Sequence, residues 1–266
     1  MIPVIVIHLG SQPYYDRVID QASKYNECVF AIGDSVPPSH YDIHDYSESA
    51  NKFRDIYDHL STNSKKIELM CFQRWFILKD FMEKHGIEVS FHIDSDVMLY
   101  ANTDTEFPKF EQFDFTLSHR CCGSNSFFTL NGLKKFCGFL INFYMRKNTY
   151  EYERIAAHYH VRQKHGLPGG VCDMTLLEYY SYQNCGKIGE MMHIIEDSTY
   201  DHNINVPDQY FQMDNGTKNF VFVNGTPFVY QKSTGKQIQF KTLHFQGSAK
   251  NLILKMQGYQ EFCNGN

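Results

Sequence analysis

The most informative stretch of the sequence is Val89-Ser90-Phe91-His92-Ile93-Asp94-Ser95-Asp96, in which two aspartates directly follow a mostly apolar run. Residues 89–93 predict a buried strand, and residues 97–100 form a second apolar stretch. In open α/β sheets, ligands bind at the carboxyl ends of the strands. Two carboxylates at such an edge can hold one Mg²⁺ or Mn²⁺ and leave positions free for diphosphate oxygens. The alternative is a polar turn after a buried strand, since Asp-x-Asp often occurs by chance.

The chain before this stretch predicts a strand–helix–strand unit. Residues 4–9 form a largely β-branched run that ends at Gly10, residues 13–25 have the pattern of a helix, and residues 28–32 predict a second strand. The longest predicted helix covers residues 66–85 and ends at Gly86. This order is typical of a nucleotide-binding α/β fold.

The rest of the chain predicts a mixture of helices and strands. Strands are expected at 113–118, 220–223, 228–230 and 238–245, and helices at 130–145, 172–182 and about 250–257. Thr129 is the predicted N-cap of one helix, and Asn224-Gly225 predicts a hairpin turn. No linker or internal repeat divides the sequence. We therefore expect one mixed α/β domain over residues 1–266, with a less regular second half.

Composition narrows the possible functions. The 266 residues are 42% hydrophobic and carry a net charge of −5, so no broad basic field is present to bind nucleic acid. No apolar run approaches the ~20 residues that a transmembrane helix needs, and the N-terminus lacks the pattern of a signal peptide, so a cytoplasmic protein is expected. The eight cysteines include no Cys-x-x-Cys pair, which favours free thiols over a zinc site or disulfides.

A second polar motif lies near the C-terminus, at His244-Phe245-Gln246-Gly247-Ser248-Ala249-Lys250. A histidine at a strand end can be a third metal ligand, and a glycine lets the backbone approach a phosphate closely. Lys250, at the start of the predicted last helix, can neutralise a phosphate, and the helix N-terminus adds partial positive charge. The alternative is an ordinary strand-to-helix turn with a solvated lysine.

Together, the N-terminal unit, the strand ending in Asp94-Ser95-Asp96 and the motif His244-x-x-Gly247-x-x-Lys250 resemble the glycosyltransferases of the GT-A fold. The C-terminal motif most resembles the glycogenin-like and bacterial galactosyltransferase branch. The resemblance implies a single Rossmann-like mixed sheet flanked by helices, and a nucleotide-sugar donor, with UDP favoured, bound through Mn²⁺ or Mg²⁺. It assigns the metal to Asp94, Asp96 and His244, and the diphosphate to Gly247 and Lys250.

The same resemblance implies further donor contacts. It divides the chain into a nucleotide-sugar-binding half, residues 1–118, and an acceptor-side half, residues 119–266. The implied donor-binding residues beyond the two motifs are His8, Leu9, Gly10, Asp34, Arg74, Ser95 and Asn125. Asp34 could equally be a turn residue and Arg74 a surface arginine paired with an acid.

Asp173 is the predicted catalytic carboxylate. It follows Pro168-Gly169-Gly170 at the first turn of a predicted helix, where the helix dipole alone also favours an acid. The resemblance implies either the base that deprotonates the acceptor hydroxyl or a residue that holds donor or acceptor. Asp173-Met174 departs from the retaining pattern and Cys172-Asp173 departs from the inverting one, so the stereochemistry stays open.

The expected reaction transfers a hexosyl or pentosyl group to a hydroxyl of an oligosaccharide or polysaccharide. Phe127, Phe128, Tyr179 and Tyr180 are a possible acceptor platform, with core packing as the alternative. One rival function is a nucleotidyltransferase that makes the sugar nucleotide, which should carry a glycine-rich, basic loop after the first strand. Residues 9–13 have one glycine and no lysine. The other rival is a non-catalytic sugar-binding protein, which has no need of a metal triad.

Overall fold

The structure is a computed structural model that describes residues 1–34 and 41–255. Its α-helices are α1 Tyr15–Ser23, α2 Glu48–Ile56, α3 Lys65–His85, α4 Thr103–Glu106, α5 Leu130–Met145, α6 Tyr150–Lys164, α7 Asp173–Gln183 and α8 Lys250–Ile253. Its strands are β1 Val4–His8, β2 Val29–Gly33, β3 Tyr41–Asp42, β4 Val89–Asp94, β5 Val97–Leu99, β6 Phe115–Leu117, β7 Asn125–Thr129, β8 Ile188–Glu190, β9 Ser198–Thr199, β10 Met213–Asp214, β11 Thr217–Lys218, β12 Phe220–Val223, β13 Thr226–Gln231, β14 Lys236–Phe240 and β15 Thr242–His244.

The main sheet has seven strands within the described ranges, in the order β3-β2-β1-β4-β7-β6-β8. The first four of these are parallel, whereas β4, β7 and β6 pair antiparallel. The carboxyl ends of β1 and β4 therefore open on the same edge of the sheet. A smaller sheet, β12-β13-β14-β9, lies in the C-terminal half. The expected mixed α/β class with a sheet flanked by helices is confirmed.

Alternating side chains of the main sheet enter two different cores. Ile5 and Ile7 pack with residues of α2, α3, α5, α6 and α7. Val4 and Val6 pack with α1, β5, the smaller sheet and α8. Both faces of the central strands of this sheet are buried. The sequence of β1 is therefore a continuous apolar run and not an alternation of apolar and polar residues.

Several local predictions are confirmed. The longest helix, α3, ends at Gly86, whose φ of 64° is the left-handed conformation that favours glycine at a helix end. Thr129 caps α5 by accepting a hydrogen bond from the backbone N–H of Gly132 at 3.0 Å. The turns at Asn215-Gly216 and Asn224-Gly225 both have positive φ values and connect paired strands. Local chemistry is sufficient to fix each of these features.

The prediction of one strand over 238–245 is wrong. The structure divides it into β14 and β15, which pair with different partners, and Lys241 lies between them. The side chain of Lys241 is buried in an ion pair with Glu106. A charged residue therefore occupies the point where the two strands separate. The predicted last helix begins at Lys250 as expected, but α8 ends at Ile253. A 3-10 turn over Gly247–Ala249 precedes it. Residues 256–257 of that prediction lie outside the described residues.

Three helices, α2, α4 and α6, were not predicted. Most side chains of α6 are exposed, and its buried residues are Tyr152, Ile155 and Ala156, so its apolar pattern is weak. The described cysteines, which exclude Cys263, are all free, as predicted. Within the described ranges, no helix has both the length and the apolar character that crossing a membrane requires.

Candidate metal and nucleotide site

A cleft of about 520 Å³ opens at the sheet edge where β1 and β4 end. One wall comes from the first strand and its loop, another from α3, and the floor from the Asp-Ser-Asp motif. The lining residues are Ile7, His8, Leu9, Gly10, Asp34, Lys66, Ile67, Met70, Cys71, Arg74, Asp94, Ser95, Asp96 and Lys250. Nine of the donor- or metal-site residues predicted from the sequence are among them, and His244, Gly247 and Asn125 are not.

Asp94, Asp96 and His244 form a group whose ligand atoms all lie within 4.8 Å of one another. The structure brings them together through the antiparallel pairing of β5 with β15, which sets His244 opposite Val97. The backbone N–H of Phe245 also donates to the carbonyl of Asp96 at 2.9 Å. A strand pair formed by distant segments therefore completes the predicted metal group.

The tautomer of His244 suits a metal ligand. Its Nδ1 lies 2.5 Å from the carbonyl oxygen of His202, and because a carbonyl only accepts, Nδ1 carries the proton. In the neutral imidazole, the lone pair is then on Nε2, which is 3.5 Å from Asp96 Oδ1. Metal-ligating histidines almost always donate their other ring N–H in this way. Two carboxylates and such an imidazole fit Mn²⁺ or Mg²⁺ with positions left for other oxygens.

Asp94 is held by an ion pair with Arg74 of α3, and His92 Nε2 lies 3.2 Å from the same carboxylate oxygen. Burial opposes the ionisation of Asp94, but the charge of Arg74 and the hydrogen bond with His92 outweigh it and hold the pKa well below its usual range. Burial lowers the pKa of Arg74, but its ion pairs with Asp94 and Asp173 outweigh burial and raise it. The carboxylate is therefore ionised and ready to bind a cation.

Asp173, at the start of α7, shares the guanidinium of Arg74. Its Oδ2 accepts hydrogen bonds from Arg74 Nη2 at 2.8 Å and from the indole N–H of Trp75 at 3.2 Å. The residue is 3% exposed and does not line the cleft. The predicted catalytic carboxylate thus contacts the cleft through Arg74, which links it to Asp94.

Lys250 closes the opposite side of the metal group. Its Nζ is 3.1 Å from Asp96 Oδ2 and its side chain is 40% exposed. Burial lowers the pKa of Lys250, but the charge of Asp96 and their hydrogen bond outweigh burial and raise it. Gly247 precedes it with a φ of 63°, a conformation that disfavours other residues, and does not line the cleft.

The end of the cleft that the sequence analysis assigned to the nucleoside is formed by β1 and its loop. The backbone N–H of Gly10 donates to Asp34 Oδ1 at 2.6 Å, which ties the end of the first strand to the end of the second. The ring of His8 stacks on that of Tyr15 with centroids 4.9 Å apart. Burial lowers the pKa of His8 and favours its neutral form.

Two buried nitrogens in the cleft wall, His8 Nε2 and Arg74 Nε, have no hydrogen-bond partner within residues 1–34 and 41–255. Buried polar atoms in folded proteins are nearly always paired, and each exception calls for a reason such as an absent ligand. Both atoms belong to residues assigned to the donor from the sequence. A polar ligand in this cleft would satisfy them.

Asn125 lies away from the cleft surface. It is fully buried, and its side-chain amide donates to the carbonyl of Asp201 at 2.9 Å. Three of the four proposed platform aromatics are core residues, since Phe127, Phe128 and Tyr180 are 2%, 0% and 6% exposed. For these three the platform prediction is wrong, and the core-packing alternative is correct.

Sequence reasoning missed the rest of the α3 wall. Lys66, Met70 and Arg74 follow one another at four-residue intervals, which places them on one face of a helix. Once Arg74 is assigned to the donor, that spacing is the signal for the other two. Asp201, His202 and Lys218, which surround His244, carried no such signal.

Comparison with known proteins gives structural likenesses alone. A scan against protein-family models and a search of curated protein sequences return no match. Among solved structures, the apo form of mouse xyloside xylosyltransferase 1 is similar over 71% of this chain and 84% of its own, with 9% identity and a TM-score of 0.47.

Two other glycosyltransferase structures are similar. One, involved in the glycosylation of the major capsid of PBCV-1, covers 96% of this chain and 98% of its own with 11% identity and a TM-score of 0.40. The other, GlyE in Streptococcus pneumoniae TIGR4, covers 77% of this chain and 48% of its own with 13% identity and a TM-score of 0.36. All three TM-scores are below 0.5, so the function proposed below rests on the geometry of the site.

Proposed function

We propose that this protein is a metal-dependent glycosyltransferase that moves a sugar from a nucleoside diphosphate sugar, with UDP favoured, to a hydroxyl of a glycan acceptor. The observation that carries the proposal is the convergence of Asp94, Asp96 and the buried His244 within 4.8 Å, at the point where the two carboxylates and Lys250 line one cleft. Such a group combines two carboxylate ligands with an imidazole whose proton is on Nδ1, which leaves Nε2 free to bind a metal. The ammonium of Lys250 beside it can pair with a phosphate.

The proposed donor lies with its nucleoside against His8, Leu9, Gly10 and Asp34 and its diphosphate toward the metal group. A divalent cation bound there would neutralise charge on the diphosphate leaving group. Lys250 would add a second positive charge beside the same group. The unpartnered Nε2 of His8 gives the nucleoside end a polar contact.

Arg74 supports the proposal from the α3 side. Its guanidinium bridges Asp94 and Asp173 while its Nε has no partner within the described residues. A guanidinium suits bidentate binding of phosphate. We infer that an incoming diphosphate competes with the two carboxylates for Arg74, which would free Asp173 to act on the acceptor hydroxyl.

The test is calorimetric titration of UDP, with other nucleoside diphosphates as competitors, in the presence of Mn²⁺ or of EDTA. Binding with Mn²⁺ and little binding with EDTA is expected. Equal affinity in both conditions would remove the metal model. Turnover of UDP-sugars by the Mn²⁺-loaded protein then separates a transferase from a non-catalytic sugar-binding protein.

A further inference from the structure

Lys218 is a charged residue with no solvent-exposed side-chain surface. Its Nζ makes ion pairs with Asp201 Oδ1 at 2.7 Å and with Asp208 Oδ1 at 3.1 Å, and it donates to the carbonyl of Asn203 at 2.7 Å. Burying a charge is costly unless it is paired and hydrogen-bonded, and this arrangement supplies all three partners of the ammonium group. The cluster lies outside the donor cleft, and the proposed reaction does not use it directly.

Asp201 connects this cluster to the metal group. Its second carboxylate oxygen, Oδ2, accepts the backbone N–H of His244 at 2.9 Å. Its own backbone N–H donates to Thr242 Oγ1 at 3.1 Å. One carboxylate therefore joins the buried ammonium of Lys218 to the main chain of the proposed metal ligand.

The neighbouring residues of the same segment hold His244 at two more points. The carbonyl of His202 accepts the ring Nδ1–H at 2.5 Å, and the backbone N–H of Ile204 donates to the carbonyl of His244 at 3.1 Å. The carbonyl of Ile204 in turn accepts the backbone N–H of Lys218 at 2.7 Å. The segment 201–204 thus fixes both the backbone and the ring tautomer of His244.

We propose that Lys218 and Asp201 are positioning residues, which hold the segment 201–204 so that His244 directs the lone pair of Nε2 into the proposed metal site that it shares with Asp94 and Asp96. This inference rests on the proposed function, because it assigns His244 to the metal. The contacts are specific to that task, since they converge on the backbone and the Nδ1 of one residue. Outer partners of this kind typically change metal affinity by 10- to 100-fold.

The chain offers a matched control in the ion pair between Lys241 and Glu106. Lys241 is buried like Lys218, but its side chain pairs with Glu106 and lies over the ring of Tyr200, just before the segment 201–204 and not within it. Lys218→Met removes the cation that pairs with Asp201 and Asp208, and Lys241→Met leaves Glu106 with Lys109 as its cation, so both are expected to lower stability. An effect that appears in the first variant alone reports on His244 and not on general loss of stability.

The first measurement uses the ring nitrogens of His244 in the metal-free protein, at a pH high enough for the imidazole to be neutral. Long-range ¹H–¹⁵N NMR spectra should show the Nδ1–H tautomer in the wild-type protein and in Lys241→Met. In Lys218→Met the carbonyl of His202 is no longer held in place, so a mixture with the Nε2–H tautomer is expected. An unchanged Nδ1–H tautomer in folded Lys218→Met would overturn the inference.

The second measurement is Mn²⁺ affinity by EPR, with Mn²⁺ alone and with Mn²⁺ and UDP. Lys218→Met should bind Mn²⁺ about 10- to 100-fold more weakly than the wild-type protein, whereas Lys241→Met should bind as the wild type does. Equal affinity of the folded Lys218→Met variant and the wild type would overturn the positioning role. A wild-type protein that binds no Mn²⁺ would instead overturn the proposed function, and the NMR result would still decide whether Lys218 orients His244.

Asp201→Asn keeps the proposal testable if Lys218→Met does not fold. The amide has one acceptor oxygen for two donors, the ammonium of Lys218 and the backbone N–H of His244, so one of the two bonds is lost. Lys218 keeps its ion pair with Asp208 in this variant. A tautomer mixture and weaker Mn²⁺ binding support the inference, and wild-type values in both measurements contradict it.

Discussion

The two ends of the proposed metal group are held in different ways. Asp94 is 24% exposed at its side chain and is restrained by other side chains, an ion pair with Arg74 and a contact with His92. His244 is 5% exposed at its side chain and is restrained by the segment 201–204, through the carbonyl of His202 at its ring and the carboxylate of Asp201 at its backbone N–H.

The contacts of Asp94 can be exchanged when a ligand binds, whereas those of His244 are fixed in advance. Arg74 can leave Asp94 for another anion, because both groups line the cleft. His244 has a fixed tautomer and orientation before any ligand arrives, which lowers the reorganisation needed on binding. The comparison predicts that substitutions at the Asp94 end change chemistry most, whereas those at the His244 and Lys250 end change affinity.

The largest effect is expected from removing a carboxylate of the Asp-Ser-Asp motif. Asp94→Asn and Asp96→Asn should each lower UDP-sugar turnover by roughly 10³-fold or more, since a metal ligand and its charge are lost together. Circular dichroism should show an intact fold, since both residues lie at a polar edge. Asp197→Asn, which alters an exposed ion pair with Lys236, is the control. Activity near the wild-type level in Asp96→Asn would contradict the assignment.

The second largest loss of turnover is expected at Asp173, the carboxylate that pairs with Arg74 together with Asp94. Asp173→Asn should lower turnover by roughly 100-fold, the scale of losing a general base, with little change in the affinity for UDP. Asparagine can still accept from Arg74 or Trp75, so the packing is preserved. The check is kcat against pH together with UDP affinity.

If Asp173 is the base, the loss should appear in kcat and not in the affinity for UDP. A wild-type rate in Asp173→Asn would mean that the residue only orients Arg74 and Trp75. In either case, NMR of the anomeric configuration of the product assigns the enzyme as inverting or retaining.

At the fixed end, His244→Ala should raise the Mn²⁺ concentration for half-maximal activity by about 10- to 100-fold, because one of three protein ligands is lost. Although burial lowers the pKa of His244, its hydrogen bond with Asp96 and the nearby carboxylates raise it above the ordinary value. Protons therefore compete with the metal, and wild-type Mn²⁺ affinity should fall as the pH drops through that raised pKa.

The same titration in His244→Ala should show a weaker dependence on pH. His193→Ala, which removes an exposed imidazole that lines a different cavity, serves as the control and should match the wild type. An unchanged Mn²⁺ requirement in His244→Ala would leave Asp94 and Asp96 as the only protein ligands of the group.

The smallest effect is expected at Lys250. Lys250→Ala should weaken UDP binding by about tenfold and uridine binding far less, because the lysine contacts the diphosphate and not the nucleoside. The low end of the range for a charge-assisted bond applies because the side chain is 40% exposed. Calorimetry with both ligands measures the ratio, and Lys255→Ala in the same terminal segment is the control. An unchanged ratio in Lys250→Ala would make this segment structural.

Much of the fold could be predicted because its determinants are local. The run before Asp94 has the composition of a buried strand, Gly86 ends α3, and Thr129 caps α5. The acidic pair was found at the correct edge because strands of a parallel sheet end on one side. The strand over 238–245 was predicted wrongly because the charge at Lys241 is satisfied by Glu106, a partner that is distant in sequence.

Local patterns of residues specify where strands and helices end, since turn chemistry, caps and apolar runs act over a few residues. The contacts of His244 with Asp96, of Arg74 with Asp94 and Asp173, and of Lys218 with Asp201 form only when the chain has folded. Each of these contacts needs strand pairing or helix packing between remote segments. Their free energy comes from burial and exact partner geometry, which no local pattern of residues encodes.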